Sequence, residues 1–174
     1  ISHQRNQGVG KAFHTGLDYA LSSNVEYMVN IDADGQFKAR DIAKLLKPIL
    51  AGEAEFVAAN RFLQTSGQLR KPKNMPTSKY YGNLLMAQLI SFLTGQSYTD
   101  VSSGFRAYSR RALLNLNLTG KFTYTQETFI DLVFKDLPLK SVPVEVQYFP
   151  NRQSKVASNL LKYGFRTLKI IVRT

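Results

Sequence analysis

The sequence predicts an α/β fold: a mixed, mainly parallel sheet with helices on both of its faces. Segments with apolar residues at helical spacing alternate along the chain with short apolar runs that are typical of buried strands. The chain has 174 residues, of which 44% are hydrophobic. It is therefore long enough for one domain with a sizeable core, and too apolar for a disordered segment.

Five helices are predicted within residues 1–153. The first carries Phe13, Leu17 and Leu21 on one face, and Asp41 caps the second. The third closes at Gly95, because glycine readily adopts the left-handed conformation that ends many helices. The expected ranges are 6–22, 41–49, 79–93, 110–115 and 125–135.

Strands are predicted at 25–31, 55–60 and 139–148, and residues 103–109 are expected to form a short strand or a turn. The first is apolar except for Glu26 and Asn30, which favours a buried strand. The last contains Pro143, which cannot donate to a β-ladder, so this strand is expected at an edge or a bulge. Ligands bind at the carboxyl ends of strands in such sheets, so a site is expected where the first strand runs into Asp32.

The charge of the chain favours anionic partners. Lysine and arginine number 23 against 12 acidic residues, a formal net charge of +11. This predicts attraction to phosphorylated molecules, acidic lipid or nucleic acid. Cysteine is absent, which excludes disulfides, thiolate metal sites and a cysteine nucleophile. No apolar run in the sequence reaches the ~20 residues that span a bilayer.

The Asp32-Ala33-Asp34 segment is the strongest chemical signal. Two carboxylates one residue apart, just beyond a strand, suit Mg²⁺ or Mn²⁺, and such an ion bridges to substrate phosphates. The alternative is an ordinary Asp-Gly turn that ends at Gly35. The pattern alone leaves both interpretations open.

Other polar residues each allow two interpretations. Arg106 binds a phosphate or pairs with Asp100. Glu127 is a general base, or a stabilising carboxylate in the first turn of its helix. Arg152 and Lys155 grip a pyrophosphate, or they are solvated residues at a helix entry.

Residues 154–174 are predicted to form a separate basic amphipathic helix. Its cations are spaced by seven, four, three and four residues and so share one helical face: Lys155, Lys162, Arg166, Lys169 and Arg173. Such a helix lies on an anionic membrane surface or packs its apolar side on the domain.

Five short motifs occur in an order that resembles a known family. They are Asn6-x-Gly8-x-Gly10, Asp32-Ala33-Asp34-Gly35-Gln36, Asn60-Arg61-Phe62, Asp100-x-x-Ser103-Gly104-Phe105-Arg106 and Arg152-x-x-Lys155. Together they resemble family 2 glycosyltransferases of the GT-A fold, in the branch of polyprenyl-phosphate (dolichyl-phosphate) mannose synthases. The resemblance implies a GT-A-like sheet that lacks the first nucleotide-binding β-α units. Residues 1–153 would then be a partial catalytic domain, incomplete as a catalyst by itself.

The resemblance also implies a role for each matched residue. Asp34 would be the metal ligand, assisted by Asp32, and the expected catalytic residues are Asp34, Arg61 and Glu127. The expected donor-binding residues are Asp32, Asp34, Gln36, Arg152 and Lys155. The expected acceptor-binding residues are Arg61, Ser78, Lys79 and Arg106.

The implied reaction is inverting transfer of a sugar from a UDP- or GDP-linked donor, with Mg²⁺ or Mn²⁺, to polyprenyl phosphate. It would take place at the cytoplasmic face of a membrane, with the chain peripheral or anchored by segments outside it. The alternative acceptor is a saccharide hydroxyl in cell-surface polysaccharide, which would require Glu127 as a base. The charge also fits a non-catalytic fragment that binds membrane or nucleic acid. No nucleic-acid motif is present in the sequence, so no nucleic-acid partner is expected.

Overall fold

The computed structural model describes residues 1–118 and 124–149. The elements are α1 (Val9–Ser22), β1 (Tyr27–Asn30), a 3₁₀ turn (Ala39–Asp41), α2 (Ile42–Leu50), β2 (Phe56–Asn60), α3 (Thr77–Thr94), β3 (Arg106–Ser109), α4 (Arg110–Asn115), α5 (Thr125–Val133) and β4 (Leu139–Pro143). Each helix and strand predicted within these ranges is present, some of them shorter. The helix predicted at 154–174 lies outside the described residues.

The four strands form one mixed sheet in the order β1-β3-β2-β4. β3 pairs antiparallel with β1 and with β2, whereas β2 and β4 pair in parallel. β1, β2 and β4 therefore run in the same direction, and their carboxyl ends meet at one edge. This confirms the predicted mixed sheet: three of its four strands share one direction, and the two pairings made by β3 are antiparallel. Pro143 ends β4, which in the described part of the chain is an edge strand, as a residue without an N–H requires.

Helices cover both faces of the sheet because β2 alternates its side chains between two cores. Phe56 and Ala58 join the core formed with α1, α3, α4 and α5. Val57 and Ala59 pack on the other face, against Leu45 and Ile49 of α2. A third, smaller cluster of Phe62, Met75 and Tyr148 lies beyond the carboxyl end of β2.

The prediction that the first strand is buried is wrong. Tyr27 is 41% exposed, and the other three residues of β1 are half-buried. Within residues 1–118 and 124–149, β1 pairs with β3 alone, so its outer edge is open. Its apolar run reflects two covered faces, because Met28 packs on one core and Val29 on the other.

Helix ends follow ordinary capping chemistry. Gly95 adopts a left-handed φ of 66° and ends α3, as predicted. The Ser109 side chain accepts a hydrogen bond from the Ala112 N–H and so caps α4. Among the helices of the described residues, none is both long and apolar enough to span a bilayer.

Candidate active site

The acidic turn follows β1 at the carboxyl edge of the sheet. Gly35 supplies the turn with a φ of 74°. Asp34 Oδ1 accepts a hydrogen bond from the Gln36 N–H at 3.0 Å, which is the Asx-turn geometry of the simpler interpretation. Asp32 is nonetheless exposed and Asp34 half-buried. The turn therefore orders the two carboxylates and leaves them accessible, so the two interpretations are compatible.

Asn30 and Gly104 join the acidic turn to the segment before β3. Asn30 Nδ2 donates to the Gly104 carbonyl and, at 2.9 Å, to the Tyr124 hydroxyl. A Cβ built on Gly104 would lie 3.0 Å from an Asp32 carboxylate oxygen. Glycine is thus the residue that lets the Asp32 carboxylate approach this backbone closely. Two motifs that are far apart in the sequence meet here.

Tyr124 is the buried neighbour of this junction. Burial raises the pKa of Tyr124; the Arg106 cation opposes that rise and the Asp32 charge adds to it. The phenol therefore keeps its proton at physiological pH, and its oxygen accepts the hydrogen bond from Asn30. Tyr124 also stacks on Phe13, with ring centroids 3.9 Å apart, which ties α1 to the site.

Arg61 lies just past the end of β2 in an ion pair with Asp100. Arg61 Nε and Nη2 donate to the two oxygens of Asp100, both at 2.7 Å, and Nη1 donates to the Tyr148 hydroxyl at 3.2 Å. Burial lowers the pKa of Arg61, but the charge and hydrogen bonds of Asp100, together with Tyr148, outweigh burial and hold that pKa above its ordinary value. These bonds use three of the five N–H donors of the guanidinium. The acceptor-binding role of Arg61 remains a prediction that depends on the other two.

Tyr148 contacts two of the residues predicted to bind the acceptor, Arg61 and Lys79. Lys79 Nζ lies 5.2 Å from the centroid of the Tyr148 ring, and Asn74 Nδ2 donates to the Tyr148 carbonyl at 3.2 Å. Ser78 is exposed in the first turn of α3, next to Lys79. Arg61, Ser78 and Lys79 are thus brought to one place, around a tyrosine that sequence reasoning did not single out.

Arg106 lies elsewhere. Its side chain is fully buried, so the prediction that Arg106 contacts an acceptor is not supported by its position. Nε donates to the Ser103 carbonyl at 2.7 Å and Nη2 to the Val101 carbonyl at 3.0 Å. The alternative, a pair between Arg106 and Asp100, is wrong, because Asp100 pairs with Arg61.

Glu127 is buried near the start of α5, with 1% of its surface exposed. Its neighbour Gln126 donates from Nε2 to Ser102 Oγ at 3.1 Å, which ties α5 to the turn that follows Asp100. Glu127 therefore belongs to the layer behind the carboxyl edge, and its catalytic role stays a prediction. Arg152 and Lys155 lie outside the described residues.

One spacing in the site follows from the topology. β3 lies between β1 and β2, so the strands that lead into the acidic turn and into Arg61 are two strand spacings apart, about 10 Å. Asn60 shapes the second of these ends, because its Oδ1 accepts from the N–H groups of Phe62 and Leu63, both at 3.0 Å. An acidic end and a basic end thus face the same edge.

The acidic turn fits a divalent ion. Asp32 and Asp34 offer hard carboxylate oxygens, and Mg²⁺ is commonly held by one or two carboxylates with substrate phosphates and water completing its shell. Among residues 1–118 and 124–149, no group of three or more acidic or histidine side chains clusters as a ready-made metal site. Metal binding at this turn would therefore be shared with a bound phosphate.

Solved structures share this fold. Glucosyl-3-phosphoglycerate synthase from Mycobacterium tuberculosis superposes with a TM-score of 0.66 at 19% identity, over 96% of this chain and 56% of that one. The same enzyme in complex with Mn²⁺, UDP and glucosyl-3-phosphoglycerate gives a TM-score of 0.63 over 98% of this chain and 54% of that one. This likeness confirms the predicted GT-A-like α/β fold.

Sequence comparison identifies the family. Residues 1–116 match the model of glycosyl transferase family 2. A UDP-N-acetylglucosamine–dolichyl-phosphate N-acetylglucosaminyltransferase from Methanococcus voltae is 36% identical over 151 residues, which is 85% of this chain and 59% of that protein. A polyprenol monophosphomannose synthase from Mycolicibacterium smegmatis is 29% identical over 68% of this chain and 43% of that protein. The chain belongs to glycosyl transferase family 2, and it spans only part of the length of these relatives.

Proposed function

We propose that this chain is part of a catalytic domain that transfers a sugar from a nucleotide-sugar to polyprenyl phosphate. The observation that carries the proposal is the pairing of an accessible acidic turn with a basic, tyrosine-centred cluster on the same sheet edge. Relatives from M. voltae and M. smegmatis, named as dolichyl-phosphate and polyprenol transferases, support the lipid phosphate as acceptor.

The donor binds at the acidic turn. Asp32 and Asp34 would hold Mg²⁺ or Mn²⁺, with a UDP- or GDP-linked sugar as the donor, and Gln36 would contribute to the same donor site. When bound, the ion supplies positive charge that stabilises the departing nucleoside diphosphate. Arg152 and Lys155 add positive charge over the pyrophosphate.

The acceptor binds at the basic end. A polyprenyl phosphate oxygen is already anionic, so it attacks the anomeric carbon without a strong base. The bond from this oxygen to carbon forms as the carbon–diphosphate bond breaks on the opposite face, which inverts the anomeric configuration. Ser78, Lys79 and Arg61 orient the phosphate, and the reaction takes place at the cytoplasmic membrane surface.

The test is a thermal-stability measurement on the intact protein with Mn²⁺ and a panel of UDP- and GDP-sugars. We expect one donor to raise the melting temperature, and only when the metal is present. Asp34→Asn should abolish this stabilisation while leaving the melting temperature of the unliganded protein unchanged, because Asp34 is half-buried on a surface turn. A response of the variant equal to that of the parent would remove the metal site from the acidic turn.

A saccharide hydroxyl is the second candidate acceptor, and the buried carboxylate of Glu127 is the observation that favours it. A hydroxyl must lose its proton during attack, so a general base would contribute about 10²–10⁴-fold. Glu127→Gln keeps the shape of the side chain and removes the base. If polyprenyl phosphate is the acceptor, this variant should keep full transferase activity; a collapse of activity with an unchanged unfolding curve would favour the hydroxyl acceptor.

A further inference from the structure

One face of α3 is uncharged and open to solvent, and it carries three large apolar side chains with Gln88 between two of them. Tyr81, Leu85 and Phe92 are 63%, 68% and 84% exposed. They are four and seven residues apart, so they share one side of the helix. Lys79 is the one charged residue between Thr77 and Thr94, and its ammonium lies over the Tyr148 ring. We call the three exposed side chains the α3 stripe.

The stripe is not needed to hold α3 in place. Ala87 and Ile90, on the other side of the helix, are fully buried in the main core. Surface helices usually place polar and charged residues opposite their buried side. Three large apolar side chains on the solvent face of one helix therefore indicate a surface that is covered by something else.

The charge around the stripe indicates what covers it. Arg70, Lys71 and Lys73 are exposed in the segment that leads directly into the start of α3, next to Leu69, which is 48% exposed. Cations beside an apolar helical face match an anionic bilayer, whose headgroups attract the cations and whose acyl boundary accepts the apolar side chains.

We propose that the α3 stripe inserts into the interface of an anionic lipid bilayer. At 1.5 Å per residue, Tyr81 and Phe92 are about 17 Å apart along the helix, so α3 would lie in the membrane plane. Such helices bury their apolar face about 5–10 Å into the headgroup region.

The biological role of the α3 stripe rests on the proposed function. Ser78 precedes Tyr81 by three residues and Leu85 by seven, and so lies on the same side of α3. A membrane seated on the stripe would reach the helix end that carries Ser78 and Lys79. A lipid-linked phosphate would then approach the basic cluster without leaving the bilayer.

A single introduced tryptophan tests insertion, because the chain contains none. Phe92→Trp should show a blue-shifted emission and quenching by spin-labelled acyl chains when phosphatidylcholine–phosphatidylglycerol vesicles are added. The matched control is Phe134→Trp, at a side chain that is 66% exposed at the end of α5. It should respond to neither addition. Equal responses at the two positions would overturn the proposal. So would a blue shift of Phe92→Trp that grows with protein concentration in the absence of vesicles, because it would show that the stripe binds a second copy of the chain.

Vesicle co-sedimentation measures how much the stripe contributes. Leu85→Ser and Phe92→Ser should each weaken the partition onto anionic vesicles by about tenfold or more, because each removes one large apolar side chain that the bilayer would bury. Leu114→Ser, at a residue of α4 that is 62% exposed, should leave the partition unchanged. Unchanged partition for the two stripe variants would overturn the proposal. Neither measurement uses a sugar donor, so a failed donor assay and a failed insertion assay remain distinguishable.

Discussion

Asp100 is a fully buried carboxylate that the surrounding backbone and Arg61 satisfy completely. Its oxygens accept from the Arg61 backbone N–H at 3.1 Å, from the Arg61 guanidinium twice, and from the Ser102 N–H at 3.1 Å. Charge-assisted, two-point bonds of this kind offset the cost of taking a charge out of water. One residue thus joins the end of β2 to the turn before β3.

Breaking this pair should be costly from either side. Arg61→Met leaves the Asp100 charge buried without its cation, and Asp100→Asn leaves the Arg61 charge in the same state. We expect each to lower the free energy of unfolding by about 3–5 kcal/mol, with the double variant well short of the sum. Urea unfolding of the four proteins measures this coupling.

The exposed pair of Lys38 and Glu145 is the control for that cycle. Its side chains are 46% and 80% exposed, so solvent screens the charges and Glu145→Gln should leave the unfolding curve unchanged. Additive costs for Arg61→Met and Asp100→Asn would contradict the coupling and leave two independent contributions.

At the scale of the element, β3 holds the turn that precedes it. Arg106, its first residue, bonds to the carbonyls of Val101 and Ser103, and its guanidinium lies 5.2–5.6 Å from the ring centroids of Phe56, Tyr124 and Phe129. A flat cation suits both tasks, because it stacks on rings while its edge donates. The turn that presents Asp100 and Gly104 to the site is therefore fixed from the interior.

Arg106→Lys tests this arrangement. An ammonium keeps the charge but cannot stack, or reach two carbonyls in the same geometry. We expect a loss of about 2–3 kcal/mol in the free energy of unfolding. Arg110→Lys is the control, since Arg110 makes one longer bond, 3.3 Å, to the Val25 carbonyl and is only half-buried. Equal losses for the two variants would show that β3 does not depend on the buried guanidinium.

The sequence predicts which helices and strands form better than it predicts which residues and elements lie side by side. Alternating helical and apolar segments sufficed to predict α1 to α5, because periodicity is local. The antiparallel direction of β3 is not contained in that periodicity. Because Asp100 and Arg106 are close in the sequence, an ion pair between them was one prediction. In the folded chain Asp100 instead pairs with Arg61, 39 residues away. The exposure of β1 and of the α3 stripe also depends on what packs beside them, which periodicity does not contain. Asp100 is the only acidic residue between Glu55 and Glu127, and this was the available signal for it; Tyr148 carried none.

At the scale of the whole molecule, charge and apolar surface act at different ranges. The net charge of +11 attracts the chain to an anionic surface from a distance, and each Lys or Arg near such a surface adds about 1 kcal/mol. The α3 stripe acts only on contact. Five of the cations in this total belong to residues 154–174 and would share one helical face if the predicted basic helix forms.

Salt therefore separates the two contributions. Raising the ionic strength from 0.1 M to 1 M shortens the screening length from about 10 Å to about 3 Å, so the partition onto anionic vesicles should fall by more than tenfold. Weak binding to phosphatidylcholine vesicles, which depends on the stripe alone, should change little.

Lys73→Gln should reduce binding to anionic vesicles about fivefold at low salt, because it removes one exposed cation. Equal binding to neutral and anionic vesicles at low salt would contradict the electrostatic contribution. Salt-dependent DNA binding without any response to sugar donors would instead favour a nucleic-acid partner.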